Sequence, residues 1–128
     1  MEWLVKALNK DERGFTLIEL IVVIAILGVL AAIAVPRVTT SLSNAKTNAD
    51  IANAQIIGQA AERYMIENGV DTVRGNNSAA RLQELVDKGY LNKIPKTSSG
   101  GEFTLDTSNG KATVKIGDKE YYPNYPTQ

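Results

Sequence analysis

The side chains able to do chemistry are few, and their types exclude most enzyme classes. The 128-residue chain contains no histidine and no cysteine, which removes the commonest general base, the thiol nucleophile and the usual zinc ligands. It contains no phosphate-binding glycine loop and no nucleophile elbow, and its formal charge of zero predicts no nucleic-acid footprint. We therefore expect no enzyme activity, no cofactor and no metal site. One acid has an unusual setting, because Glu19 lies inside a long apolar run.

The apolar run from Phe15 to Val35 is long enough to cross a bilayer. At about 1.5 Å per residue, a helix of this length spans ~30 Å. Thr16 and Glu19 are its only clearly polar residues. A secretory signal has a shorter apolar run with a small-residue cleavage site after it, whereas here the small residue, Gly14, precedes the run. The run is therefore predicted to be a retained membrane anchor.

The polar leader before the run predicts its orientation. Lys6, Lys10 and Arg13 lie on this leader, and basic residues beside a span favour the cytoplasmic side. The C-terminal bulk of the chain is then outside. An acid within a span costs at least ~2.5 kcal/mol on insertion scales. Because the span contains no basic residue, Glu19 needs a partner from elsewhere.

The stretch GFTLIE, residues 14–19, followed by an unbroken apolar helix, resembles the N-terminus of type IV pilins and pseudopilins. The resemblance implies that a prepilin peptidase cuts after Gly14 on the cytoplasmic face and then N-methylates Phe15. The apolar run is kept, because the cut precedes it. It then serves as the membrane anchor of the subunit and later as part of the filament core.

The resemblance also implies a partner for Glu19. Cleavage creates a positive amine on Phe15, and in a helical array the Glu19 carboxylate of one subunit is expected to approach the Phe15 amine of a neighbour. The pair neutralises two groups that are each costly at low dielectric. It is expected to set the axial register of an incoming subunit.

By the same resemblance the chain has three parts: residues 1–14 are a cleaved leader, 15–36 a transmembrane and filament-core helix, and 37–128 a globular head.

Gly28 and Pro36 are predicted weak points of the helix, since glycine weakens it by ~1 kcal/mol and proline removes a helical hydrogen bond. Two alternatives stay open. Either both residues are simply tolerated, as in many membrane helices, or this stretch loses helicity in the filament.

Beyond Pro36 the apolar residues recur at spacings of three and four, which predicts an amphipathic helix. The helix is expected to bend at Pro36, to run to Asn68 and to end with Gly69 as its cap. Asp50 is assigned to an outward face. The predicted inward stripe comprises Val38, Leu42, Ala45, Ala49, Ala52, Ile56, Ala60 and Tyr64.

The rest of the chain predicts a small helix and a sheet. Ser78 is expected to cap a short helix that Gly89 ends. The pair Asn109-Gly110 predicts a type I′ hairpin turn. The expected strands are 102–107, 111–116 and 119–125. The expected fold class is α+β, a long N-terminal α-helix with a transmembrane half and an amphipathic half, packed on a small C-terminal three-stranded antiparallel sheet.

Three functions fit these features. The first is a structural subunit that polymerises through its N-terminal helix into an extracellular type IV pilus for adhesion, motility or DNA uptake. The second is a type II secretion pseudopilin that forms a short periplasmic piston. The third is an unrelated single-span membrane protein with a soluble binding head. Residues 82–96 resemble the stretch that leads into the calcium loop of major pseudopilins, but TSSGGEF replaces the signature that follows there, which favours the pilus.

The resemblance further implies the partners and location of the chain. The expected partners are other copies of the chain, prepilin peptidase, the inner-membrane pilus assembly machinery and, before assembly, membrane lipid. The expected location is the inner membrane as a single-pass precursor, and then the extracellular filament. Tyr121, Tyr122 and Tyr125 are expected to pack against the sheet or cap its edge.

Overall fold

A long helix followed by a small antiparallel sheet forms the protein, and this confirms the predicted α+β class. The computed structural model describes residues 14–127. The elements are α1 (Leu17–Asn68), α2 (Ser78–Asp87), β1 (Thr104–Ser108), β2 (Lys111–Ile116) and β3 (Lys119–Tyr122). Packing divides the chain into two units between Leu42 and Ser43, and α1 contributes to both.

Helix α1 ends where the sequence predicts. Gly69 takes a left-handed backbone conformation, with φ of 63°. Its N–H donates to the Ile66 carbonyl at 3.4 Å, and the Val70 N–H donates to the Met65 carbonyl at 3.0 Å. These two bonds form a Schellman motif, which satisfies carbonyls that the last helical turn leaves free. Pro36 lies inside α1, and the predicted bend there stays a prediction.

The face that α1 buries differs from the predicted stripe. Ala60 and Tyr64 are buried as expected, but the predicted members from Val38 to Ile56 are exposed. The buried face instead carries Asp50, Ala54, Ile57, Gly58, Ala60, Ala61, Tyr64 and Met65. Apolar residues follow helical spacing on both faces, so periodicity alone does not identify the one that packs.

The sheet is an antiparallel meander in the order β1-β2-β3. Asn109 and Gly110 have φ of 52° and 75°, which confirms the predicted type I′ turn between β1 and β2. Leu105 of β1 pairs with Val114 of β2, and both side chains are fully buried. Strand β3 ends at Tyr122 rather than at residue 125, because Pro123 has no N–H to donate to the ladder.

The cap of helix α2 lies one residue before the predicted position. Asn77, not Ser78, is the N-cap, and its Oδ1 accepts a hydrogen bond from the Ala80 N–H at 2.8 Å. The Ser78 hydroxyl accepts instead from the Leu105 N–H at 2.7 Å, which ties α2 to β1.

Leu82 and Leu85 face the core of residues 43–128. The largest fully buried side chains of this core are Phe103, Ile57, Met65, Leu85, Leu105, Val73 and Val114.

Candidate assembly site

Glu19 and Thr16 form a reciprocal cap at the start of α1. The Thr16 N–H donates to Glu19 Oε2 at 3.2 Å, and the Glu19 N–H donates to Thr16 Oγ1 at 3.2 Å. A threonine followed three residues later by glutamate is the sequence signature of this capping box, so residues 16–19 alone already indicate it. The Glu19 carboxylate therefore has a donor within its own chain. It also lies in the first helical turn, where the helix dipole favours a negative charge.

Gly14 and Phe15 precede the helix. Both lie in a bend before α1 begins at Leu17, and both are exposed. The Gly14–Phe15 peptide bond is consequently outside the helical hydrogen-bond ladder, and a protease is not required to unwind the helix to reach it. Residues 1–13, the rest of the predicted leader, lie outside the described residues.

The first part of α1 is apolar on every side. All residues from Leu17 to Val35 are exposed in the single chain. By length and composition α1 is able to cross a membrane, and none of its most apolar 18-residue window is buried against the rest of the described chain. A helix that is apolar all round is stable only when lipid or other protein surrounds it.

The two predicted weak points have different surroundings. A methyl group on Gly28 would meet no atom of the described chain within 4 Å, so the fold of one chain does not require glycine there. Pro36 removes one N–H from the helical ladder. The hydroxyls of Thr39 and Thr40 donate to the Pro36 carbonyl, each at 2.9 Å, and Thr39 also reaches the Val35 carbonyl at 3.2 Å. The carbonyls of Val35 and Pro36 thus receive extra donors.

Asp50 holds the loop that precedes the sheet, and the prediction that it faces outward is wrong. Its carboxylate is buried and accepts hydrogen bonds from the Ser98 N–H and the Ser98 hydroxyl, both at 2.7 Å. The Gly101 N–H donates to Thr97 Oγ1 at 2.8 Å, which closes the loop on itself. In residues 14–127 no group of three or more acidic side chains lies together as a metal site. In the sequence, the burial of Asp50 is indicated only by its position within a helical stretch of small residues.

A cluster of tyrosines and acids joins the end of α1 to α2. The Tyr64 hydroxyl donates to Glu84 at 3.0 Å, and the Tyr90 hydroxyl donates to Glu67 at 2.6 Å. Burial, followed by the bond to Glu84, raises the pKa of Tyr64, whereas the bond to Glu67 is the main cause that raises the pKa of Tyr90. Bonds from Tyr90 and Arg63 lower the pKa of Glu67. Glu84 thus accepts from a tyrosine of α1 rather than from a basic side chain.

Tyr122 packs against α1 where the helix has a glycine. A Cβ on Gly58 would overlap the Tyr122 ring, so only glycine permits this close approach. Burial is the main cause that raises the pKa of Tyr122, followed by its hydrogen bond to Glu62. Tyr121 and Tyr122 pack against the core, as expected, whereas Tyr125 is exposed.

The chain is similar to fimbrial proteins and to a type II secretion system protein along most of its length. Residues 9–35 match the model of the prokaryotic N-terminal methylation motif. A fimbrial protein of Pseudomonas aeruginosa is 32% identical over 107 residues, covering 84% of this chain and 67% of the relative. Type II secretion system core protein G of Klebsiella michiganensis is 28% identical over 121 residues, covering 84% and 82%.

A relative named for its processing is similar over a comparable length. Prepilin peptidase-dependent protein A of Clostridium perfringens is 27% identical over 122 residues, covering 84% of this chain and 87% of the relative. No solved structure gives a significant match. The methylation motif, the overall likeness and the helix-plus-sheet fold agree, and the chain belongs to the type IV pilin and pseudopilin family.

Proposed function

We propose that this chain is the structural subunit of an extracellular type IV pilus, used for adhesion, motility or DNA uptake. One observation carries the proposal: an apolar helix that is exposed on every side continues without interruption into a packed head. A surface of this kind requires an apolar environment both before and after assembly. Lipid provides the first, and the corresponding helices of other copies provide the second.

Cohesion of the filament is expected to come from close packing of these helices. Lipid tails are as apolar as leucine, so moving a helix from bilayer to bundle gives little hydrophobic gain, and packing and polar contacts decide the balance. Assembly machinery in the inner membrane is proposed to move the helix from the bilayer into the bundle. The role is structural rather than catalytic, in line with a relative that is named a fimbrial protein.

Processing is proposed at the peptide bond between Gly14 and Phe15. The exposed, non-helical geometry of this bond supports the proposal, as does the likeness to a prepilin peptidase-dependent protein. The cut removes residues 1–14 and creates a cationic amine on Phe15, which is then N-methylated. It leaves both residues of the capping box, Thr16 and Glu19, in the chain, so we expect α1 to begin in the same way after cleavage.

Glu19 is proposed to bind the Phe15 amine of a neighbouring subunit. A carboxylate has two oxygens with about four acceptor positions. It is thus able to keep the Thr16 N–H and to accept a second donor as well. Within the apolar bundle, loss of the acid would leave the amine as an uncompensated buried charge, which costs about 3–5 kcal/mol.

Three variants separate the two roles of Glu19. Glu19→Gln keeps an amide oxygen for the Thr16 N–H but removes the charge, and Glu19→Ala removes both. Thr16→Ala removes only the hydroxyl part of the cap. We expect both Glu19 variants to be cleaved and retained in the membrane without filaments, and Thr16→Ala to form filaments. Normal filaments from Glu19→Gln would refute the charge pair.

The cellular experiment is electron microscopy of material sheared from the cell surface, with mass spectrometry of the subunit N-terminus. Surface fibres whose subunit begins at a methylated Phe15 would support the proposal. An intact Met1 on a protein that never polymerises would refute it.

A type II secretion pseudopilin is the second candidate function, and the likeness to core protein G favours it. Short fibres confined beneath an outer membrane would identify that function. The third possibility of the sequence analysis, an unrelated single-span protein, is excluded by the family to which the chain belongs.

A further inference from the structure

A cleft of about 400 Å³ opens between α1 and the loop that follows α2, within residues 43–128. Asn53 and Ile56 line it from the helix, and Leu91, Lys93 and Pro95 line it from the loop. Ile56 is an apolar side chain that remains 52% exposed. It belongs to the part of the predicted stripe, from Val38 to Ile56, that the core of this chain does not cover. The cleft therefore combines an uncovered apolar floor with a polar rim.

Three polar side chains of the rim are free to bind a partner. Within the described part of the chain, the side chains of Asn53, Asn92 and Lys93 have no hydrogen-bond or ion-pair partner. Lys96, also on the rim, pairs with Glu102 at 3.2 Å with both groups exposed. The rim thus presents one unpaired cation and two amides, each with a donor and an acceptor. A partner that fits carries an apolar side chain beside an acid.

The same chain carries such a surface at the end of α1. Ile66 is 79% exposed and Val70 is 43% exposed. Asp71 follows directly and is exposed, and its carboxylate has no partner among the described residues. By contrast, Arg63 and Tyr90 already engage Glu67. Residues 66–71, here named the apolar–acid segment, therefore complement the cleft in both polarity and charge.

We propose that the apolar–acid segment of one copy docks into the cleft of the next copy in the filament. Ile66 and Val70 cover Ile56, and Asp71 approaches Lys93. The inference rests on the proposed function, because it presumes polymerisation. Since the two surfaces are different, the contact is heterologous and leaves one free cleft and one free segment on every pair. Such a contact generates an open polymer if its rotation does not close a ring.

The absence of native cysteine permits a direct test by disulfide cross-linking of assembled filaments. The subunit with Asp71→Cys and Lys93→Cys together is assembled in cells and oxidised. We expect a ladder of dimers, trimers and longer products on a denaturing gel, because each subunit is linked to two neighbours. The matched control joins Lys93→Cys to Asp118→Cys, a turn position outside both surfaces, and it should give no ladder. Each single variant should stay monomeric.

Charge exchange provides a second test that does not depend on introduced cysteines. Lys93→Glu replaces an attraction by a repulsion at every contact, and Asp71→Lys does the same. We expect each variant to form roughly fivefold fewer filaments than the parent. The two changes combined in one chain should restore the parental amount. Lys111→Glu, an exposed change on β2, is the matched control and should have no effect.

The outcomes distinguish this inference from the proposed function. If the parent chain forms filaments but the double variant Asp71→Cys with Lys93→Cys gives no ladder, or the exchanged charges give no rescue, the docking inference alone is overturned. Dimers from a single variant would indicate a symmetric contact and would also overturn it. A parent chain that forms no fibre of any kind would overturn the proposed function instead.

Discussion

Removing the buried carboxylate of Asp50 is the perturbation with the most clearly calculable effect on the head. Asp50→Ala deletes two hydrogen bonds to Ser98, both 2.7 Å long. Bonds to a charged group contribute about 1.5–3 kcal/mol each. The change also relieves the cost of burying the charge, so the expected net loss is about 2–3 kcal/mol in the free energy of unfolding. For a domain the size of residues 43–128, this lowers the Tm by roughly 10–20 °C.

The assay is thermal unfolding of the full chain in detergent, followed by the near-ultraviolet circular dichroism of tyrosine. All five tyrosines lie in the head, so this signal reports its packing and not the apolar half of α1. Asp50→Asn keeps one acceptor and should fall between Asp50→Ala and the parent. Asp118→Ala, at an exposed turn, is the control and should leave the Tm unchanged. A Tm for Asp50→Ala within about 2 °C of the parent would refute the role of Asp50.

Three further outcomes are expected of the head. Gly58→Ala forces the Tyr122 ring to move and should destabilise the head by about 1–3 kcal/mol. Gly28→Ala, where the added methyl group meets nothing, is the control. An equal Tm for the two variants would contradict the close packing of Tyr122 on Gly58. Burial is the main cause that raises the pKa values of Tyr64 and Tyr122, and the bond to Glu67 is the main cause that raises the pKa of Tyr90. The stability that these shifts contribute is complete below about pH 10 and is lost as the pH rises through the folded-state pKa values. When unfolding is measured across the alkaline range, the free energy of unfolding of Tyr122→Phe should fall less than that of the parent. An identical fall would show that Tyr122 does not contribute to this pH dependence. Because Asp50 and Thr97 close the loop at 97–101, excess chelator should change the Tm by less than about 2 °C, whereas a larger fall would show that a cation holds this loop.

The sequence predicted the elements whose signals are local. Gly69 and the Asn109-Gly110 pair require left-handed backbone conformations, so their positions mark a helix end and a hairpin without reference to the rest of the fold. Leu105 and Val114 alternate with polar neighbours along their strands, and both are buried, because side chains two residues apart lie on the same face of a strand.

The sequence did not predict features that depend on distant partners. The buried face of α1 includes Gly58, against which the Tyr122 ring of β3 packs. Helical spacing alone does not indicate that a ring packs there. Asp50 is buried because Ser98, far along the chain, supplies two donors. Asn77 and Ser78 are both capable caps, and the bond from the Leu105 N–H to Ser78 decides which of them serves.

A high-resolution electron microscopy map of the assembled filament would show whether Glu19 binds the amine of a neighbouring subunit. The measured quantity is the distance from the Glu19 carboxylate to the Phe15 nitrogen of a neighbouring subunit. We expect a hydrogen-bonded ion pair at about 2.7–3 Å, with the Thr16 N–H of the same chain still bound to Glu19. A map in which Glu19 contacts only its own Thr16, with the nearest Phe15 nitrogen beyond about 6 Å, would contradict it.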